Sequence, residues 1–154
     1  MRRLYRVIVV VLLTITAIAL AGALYQAIAS ARDRRRYPPP GRMVDVGGYR
    51  LHLYCIGEGT PTVVLNSASS DTVSDWIWVQ PKIAQVTRVC AYDRAGLGWS
   101  DFGPHDPRQN AHQLHTLLAN GGIRGPLIMV GHSFGGLYSR YYAAEYPRTS
   151  WGTC

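Results

Sequence analysis

The chain has 154 residues, enough for one domain of ordinary size, and its net charge of +7 is unevenly distributed. Residues 1–36 carry seven arginines against one aspartate, whereas residues 37–154 carry nine basic against eight acidic side chains. Because the basic excess belongs to the N-terminal segment, no basic surface remains for nucleic acid, and lipid headgroups are its expected contact.

The first feature along the chain is an uncharged apolar segment of 23 residues, 7–29, which follows a basic flank at residues 1–6. As a helix it would be roughly 34 Å long, enough to cross a hydrocarbon core of about 30 Å. We therefore predict a single-pass membrane anchor that contacts lipid, followed by an Arg/Pro-rich linker at residues 30–42. The alternative is a signal sequence whose removal releases a secreted protein. The length of the segment favours the anchor, and arginines at both ends leave its orientation open.

Residues 43–56 predict a β-hairpin, in which MVDV and YRLHLYCI are joined by Gly47-Gly48. Alternation along the second strand assigns His52 to its polar face, so we expect a surface histidine. The three cysteines have no metal-ligand spacing, and Cys55 and Cys90 fall within predicted strands. We therefore expect these two to be buried thiols.

From residue 57 onward, short apolar runs alternate with helical patterns. The predicted strands are 61–66, 87–93 and 126–131, and the predicted helices are 76–85, 107–122 and 134–146. Strands separated by helices imply parallel pairing with helices on both faces. Residues 43–154 are therefore predicted to form an α/β domain.

The motif Gly131-His132-Ser133-Phe134-Gly135 stands between the last predicted strand and the last predicted helix. A serine at this sharp corner needs small neighbours two positions away, and the pattern in this context is typical of a nucleophile elbow. Ser133 is thus the candidate nucleophile, and the Phe134 N–H is one candidate donor to the oxyanion. The second donor is expected in the loop after strand 61–66.

Three stretches resemble the α/β-hydrolase superfamily of serine esterases, lipases and aminopeptidase-like enzymes: VVLNSASSDTVSDW, RVCAYDRAGLGWSD and VGHSFGGLYSRYYAAEYP. The resemblance implies the N-terminal portion of that family's sheet, with loop 93–100 as scaffold and Ser133 as nucleophile. It implies a small-molecule ester or amide substrate, no cofactor and no metal. Asn66-Ser67-Ala68 replaces the family's His-Gly or Glu-Ala-Gly, so the second oxyanion donor is left between the backbones of Ala68 and Ser69.

In this family the acid and the histidine follow the serine in the chain. The 21 residues after Ser133 contain no histidine and one acid, Glu145. None of the nearby histidines is expected to act as the base; these are His105, His112, His115 and His132. We therefore expect an incomplete domain that is inactive as written. The alternative is a non-catalytic, membrane-tethered α/β fragment with a binding role or no role.

The end of the predicted domain carries a structural expectation as well. Residues 148–154 do not resemble the family's next strand, which suggests a premature end. Strand 126–131 is therefore expected to be an exposed apolar edge of the sheet. The sequence does not indicate the oligomeric state.

Overall fold

The computed structural model describes residues 2–148 and the backbone of residues 150–153. The chain divides into two compact units, Met1–Pro38 and Pro39–Cys154.

The first unit is one helix, α1, Arg2–Arg36, of 35 residues. Its most apolar 18-residue window has a mean hydropathy of 2.8 and none of that window is buried, so the helix is long and apolar enough to span a membrane. The hydroxyls of Thr14 and Thr16 donate to carbonyls one turn earlier, at 2.8 and 2.9 Å, which satisfies them within the helix. Because α1 continues to Arg36, the first part of the predicted linker is helical.

The second unit contains a six-stranded sheet and three α-helices. The strands are β1 (Arg42–Asp45), β2 (Arg50–Ile56), β3 (Thr62–Asn66), β4 (Val89–Tyr92), β5 (Leu127–Gly131) and β6 (Ser150–Thr153). The helices are α2 (Gln80–Ile83), α3 (Pro107–Asn120) and α4 (Phe134–Glu145), and a 3₁₀-helix spans Val73–Trp76. The spatial order is β1-β2-β4-β3-β5-β6. The β1–β2 and β2–β4 pairs are antiparallel, and the β4–β3, β3–β5 and β5–β6 pairs are parallel.

The predicted hairpin is confirmed, with Val44 paired to Leu51 and Asp45 to Arg50. Gly47 and Gly48 have φ values of 110° and 98°, a region in which side chains are disfavoured. The parallel strands and the helices α3 and α4 also lie where predicted. The predicted helix 76–85 is shorter than expected, because the segment divides into the 3₁₀-helix and α2.

Both faces of the sheet are covered. Every residue of β3 is buried, and since successive side chains of a strand point to opposite faces, this burial requires packing on each side. Val64 packs in a core with Leu114 and Tyr142, from α3 and α4. Its neighbours in β3 pack on the other face, with Trp76 of the 3₁₀-helix. This two-sided burial confirms the predicted α/β class.

Two expectations for β2 are wrong. His52 is fully buried, since β2 lies inside the sheet between β1 and β4 and both of its faces are covered. Cys55 and Cys90 face each other across the β2–β4 pair and form a disulfide, so they are not free thiols. A single sequence does not show which two strands pair, and the antiparallel β2–β4 contact brings both corrections about.

The expected exposed edge is also wrong. β6, Ser150–Thr153, pairs in parallel with β5, so β5 is an interior strand. Residues 150–153 have no strong strand pattern in the sequence, and the backbone hydrogen-bonding groups of β5 supply the template for them.

Candidate active site

The site candidate lies where the order of the strands reverses. β4 flanks β3 on one side and β5 flanks it on the other, and Asn66 is in register with Gly131 at the carboxyl ends of β3 and β5. In open α/β sheets the crevice outside such a switch point is where ligands bind. Ser133 lies two residues after the end of β5, at this same edge of the sheet.

Ser133 connects β5 to α4 in a strained conformation, with φ 54° and ψ −121°. Among the described residues it is the one non-glycine residue with positive φ. Such strain costs about 1–3 kcal/mol and persists where the surrounding structure enforces it, commonly at functional sites. The serine is exposed, and its side chain makes no capping hydrogen bond to α4, which leaves the hydroxyl available to an incoming group.

The two glycines of the motif lie at close backbone contacts. A Cβ on Gly131 would overlap the backbone of Gly135 and Gly136. A Cβ on Gly135 would lie 2.7 Å from the carbonyl carbon of Asn66 and 2.8 Å from the carbonyl oxygen of Ser67. The first turn of α4 therefore rests directly on the carboxyl end of β3.

The start of α4 presents one free backbone donor beside the serine. The amides of Gly135 and Gly136 donate to the carbonyls of His132 and Ser133, at 2.8 and 2.9 Å. The Phe134 amide makes no hydrogen bond within the described part of the chain. A free N–H at a helix N-terminus, where the helix dipole also favours negative charge, suits an oxyanion.

The loop 67–72 holds the second candidate donors. The His132 amide donates to the Asn66 carbonyl at 3.0 Å, so this loop begins beside Ser133. The Ser67 hydroxyl donates to the Thr72 carbonyl at 2.8 Å and accepts from the Trp76 indole at 2.8 Å, which ties the loop into a compact turn. Ala68 is half-buried and Ser69 is exposed.

A buried histidine–aspartate pair lies behind this loop. His52 Nδ1 and Asp93 Oδ2 are 2.9 Å apart, and both side chains are fully buried. His52 Nε2 accepts from the Gly41 amide at 3.3 Å, which places the ring proton on Nδ1. Asp93 also accepts from the amides of Val73 and Trp99, at 2.8 and 3.2 Å, so the pair connects β2 to two loops. Because both side chains are hydrogen-bonded to backbone amides of neighbouring segments, we regard the pair as structural. The sequence pattern does not reveal it.

A second buried network joins β3, β4 and α4. The Tyr92 hydroxyl donates to Asn66 Oδ1 at 2.6 Å, and Asn66 Nδ2 donates to the Ser139 hydroxyl at 3.0 Å. Burial raises the pKa of Tyr92 above its usual range. The network holds the helix that follows Ser133 against the strand that precedes loop 67–72.

Two acidic side chains lie close to loop 67–72, Asp71 within it and Asp75 on the 3₁₀-helix that follows. Partial desolvation and the adjacent Asp71 carboxyl raise the pKa of Asp75, while the nearby side chains of His132 and Arg94 oppose this shift. The His132 side chain, next to Ser133 in the chain, is exposed. Among the described residues no group of three or more histidine, cysteine or acidic side chains is arranged to hold a metal ion.

The remaining histidines make contacts away from Ser133. His112 Nδ1 lies 2.6 Å from the Tyr146 hydroxyl, and its Nε2 lies 4.0 Å from Glu145. His115 stacks on the Tyr146 ring with centroids 3.9 Å apart. It also lines a cavity of about 260 Å³ that includes Leu127, at the amino end of β5 and therefore the opposite edge from the serine.

Sequence comparison identifies relatives of this chain among known proteins. An "Uncharacterized protein YbdG" of Bacillus subtilis is 26% identical over 96% of this chain and 48% of its own length. A 2-hydroxy-6-oxo-2,4-heptadienoate hydrolase of Pseudomonas putida is 32% identical over 70% of this chain and 40% of its own length. The chain thus spans about half or less of the curated relatives that it matches.

The fold comparison gives the same relationship. The enol-lactonase of Burkholderia xenovorans LB400 superimposes with a TM-score of 0.66 and 26% identity, over 73% of this chain and 45% of the lactonase. The family model for the alpha/beta hydrolase fold matches residues 59–149, which include β3, β4, β5 and the serine turn. With its mixed sheet, its strained serine at the end of β5 and this match over more than half of its length, the chain belongs to the alpha/beta hydrolase fold family.

Proposed function

We propose that the α/β unit is a serine hydrolase that acts on a small-molecule ester or amide through an acyl-enzyme at Ser133. The observation that supports this most directly is the conformation of Ser133, an exposed serine held at positive φ between a strand and a helix. Strain of this kind has no evident structural use at an exposed turn, where a glycine would adopt the same φ without cost.

The proposed chemistry uses the groups around that turn. The Ser133 hydroxyl attacks the substrate carbonyl and loses its proton to a base. The negative charge on the former carbonyl oxygen is stabilised by the Phe134 N–H and by an N–H from Ala68 or Ser69. Collapse of this intermediate expels the alcohol or amine and leaves the acyl group on Ser133.

In the family the serine is followed by an acid and then by the histidine that acts as base, and this chain does not contain those residues in that order. Residues 134–154 contain no histidine, and Glu145 lies beside His112 rather than at the serine turn. We therefore expect the 154-residue chain to be acylated by an activated ester, whose leaving group needs little assistance, and to release the acyl group slowly.

The names of the relatives favour a small-molecule substrate. The Burkholderia protein is an enol-lactonase, and a lactone is a cyclic ester. The Pseudomonas protein is a hydrolase of a small keto acid. No cofactor is part of this proposal, and nothing in it involves nucleic acid.

We further propose that residues 7–29 of α1 anchor the enzyme in a membrane. The support is the length and hydropathy of α1, which no contact buries. Alkaline carbonate extraction of cell membranes together with N-terminal sequencing tests this. An anchored chain stays in the pellet and begins at residue 1, whereas a chain recovered in the soluble fraction and shortened at the N-terminus would show a cleaved signal sequence.

The catalytic proposal is tested by treating the detergent-solubilised full chain with p-nitrophenyl acetate. We expect a burst of p-nitrophenol equal to the enzyme concentration and an acetyl group at Ser133 in peptide mass spectrometry. Ser133→Ala should abolish both. Ser74→Ala, at an exposed serine of the 3₁₀-helix, is the matched control and should leave both unchanged. Equal labelling of the wild type and the Ser133→Ala variant would instead support the non-catalytic, membrane-tethered alternative.

A further inference from the structure

We propose that Arg94 is a positioning residue that aims the backbone N–H groups of Ala68 and Ser69 at the oxyanion formed during attack by Ser133. This inference rests on the proposed function, because it assigns a further part to the same site. It also assigns a functional role to the loop after β4, residues 93–100, which the sequence predicts to be scaffold.

Arg94 is a buried cation with unusual partners. The residue is only 5% exposed, and the described salt bridges do not include it. Its guanidinium instead donates to the Ser67 carbonyl at 2.7 Å and to the carbonyl of Ala68. Buried cations usually pair with carboxylates. Here two consecutive backbone carbonyls take that place, so the interaction depends on the path of loop 67–72.

The geometry of the peptide bond converts these contacts into an orientation of N–H groups. In a trans peptide the carbonyl oxygen of one residue and the N–H of the next point in opposite directions. The described cis bonds are Thr60-Pro61 and Gly125-Pro126, so the peptides on both sides of Ala68 are trans. With the Ser67 and Ala68 carbonyls held by Arg94, the N–H groups of Ala68 and Ser69 point away from it.

Those two N–H groups are available to a ligand. Neither donates a hydrogen bond to another group in the described part of the chain. Loop 67–72 starts from Asn66, whose carbonyl accepts from the His132 amide at 3.0 Å, immediately before Ser133. The two free donors are therefore on the loop that adjoins the nucleophile.

Arg94 also contacts the helix that carries the first donor. Its guanidinium carbon lies 4.8 Å from the centre of the Tyr138 ring, within the range of a cation–π interaction. Tyr138 is on α4, whose N-terminus presents the Phe134 N–H. One buried side chain thus links the two backbone segments from which the oxyanion hole is proposed to be built.

Lysine is the informative replacement, since it keeps the positive charge but lacks the planar fork that donates to two acceptors at once. Removing one oxyanion donor costs about 10²–10³ in rate. Misdirecting backbone donors that are still present should cost less, so for Arg94→Lys we expect the limiting rate of acylation to fall by about 10- to 100-fold. The apparent dissociation constant of the ester should stay within about twofold, because the ground-state carbonyl does not yet carry the charge.

The experiment measures acylation of the detergent-solubilised full chain over a range of p-nitrophenyl acetate concentrations, for the wild type and for the variants Arg94→Lys, Arg140→Lys and Ser133→Ala. Arg140 is exposed on α4 and provides the matched control, which should behave as the wild type. Tryptophan fluorescence during urea unfolding establishes that each variant is folded. A wild-type acylation rate in folded Arg94→Lys would overturn the inference and leave the proposed function intact. A wild type no more reactive than Ser133→Ala would overturn both.

A second variant covers the case in which Arg94→Lys does not fold. Tyr138→Ala removes the ring against which the guanidinium packs and leaves its hydrogen bonds to the loop. We expect acylation to slow by about three- to tenfold, in proportion to a cation–π contact of this kind. An unchanged limiting rate in this variant would overturn the proposed link that Arg94 makes between loop 67–72 and α4.

Discussion

The contact between α4 and β3 makes a sharp prediction about two adjacent glycines. Alanine at Gly135 would place its Cβ 2.7 Å from the Asn66 carbonyl carbon and 2.8 Å from the Ser67 oxygen, distances that require the backbone to move. Alanine at Gly136 would meet nothing closer than 3.8 Å. Both positions lie in the first turn of α4, and neither has positive φ. The two substitutions therefore differ in steric cost and in little else.

The expected magnitude follows from that comparison. Replacing glycine by alanine in a helix is worth up to about 1 kcal/mol at either site, so this gain cancels between the variants. Overpacking costs about 1–3 kcal/mol. We therefore expect the free energy of unfolding of Gly135→Ala to lie about 1–3 kcal/mol below that of Gly136→Ala.

Urea unfolding followed by tryptophan fluorescence provides the measurement. All four tryptophans lie beyond residue 75, so the emission reports on the α/β unit and not on α1. Gly135→Ala should also lose burst acylation at Ser133, since it moves α4 away from loop 67–72. Equal stabilities for the two variants would refute the conclusion that α4 rests on the end of β3.

Three further predictions concern buried groups. Tyr92→Phe leaves Asn66 Oδ1 without its donor and should lower the free energy of unfolding by about 1–3 kcal/mol, whereas Tyr141→Phe, at an exposed site, should not change it. Burial raises the pKa of Tyr92, so above pH 10 the unfolded state loses this proton while the folded state keeps it. The free energy of unfolding should therefore fall by about 1.4 kcal/mol per pH unit above pH 10, and the fall should be shallower in Tyr92→Phe. Denaturing alkylation without reductant should modify one of the three cysteines, and reduction of the Cys55–Cys90 disulfide, with its separation of 35 residues, should cost about 3–4 kcal/mol of stability by urea titration.

Local patterns were sufficient for the elements and for the candidate nucleophile. The apolar period changes from strand to helix at the serine, and this change predicted the turn that the structure places between β5 and α4. The caps of α3 are equally local, since Asp106 accepts from the amides of Arg108 and Gln109 at 3.1 and 3.0 Å, and Gly122, just beyond the helix, has a φ of 68°. These interactions involve residues within a few positions of one another, so a single sequence contains them.

The partners of the buried polar groups could not be predicted in this way. His52 and Asp93 are 41 residues apart, and the alternation of β2 placed the histidine on a polar face. The sequence alone placed Arg94 in a glycine-rich scaffold loop. Its two acceptors are backbone carbonyls, which leave no signature in a sequence, so its contacts could not be predicted. The one available indication was the run of Asp93 and Arg94 directly after a fully buried strand, where charged side chains need partners.

The sequence by itself determined the apolar N-terminal helix, the α/β class and the serine between two glycines, because each depends on periodicity or on steric needs within a short segment. Only the tertiary structure decided that β2 pairs with β4, which buries His52 and joins the two cysteines. It also decided that Arg94 reaches the carbonyls of loop 67–72. The physical reason is that strand pairing and buried hydrogen bonds are chosen by the whole packed chain, in which each polar group must find a partner once water is excluded.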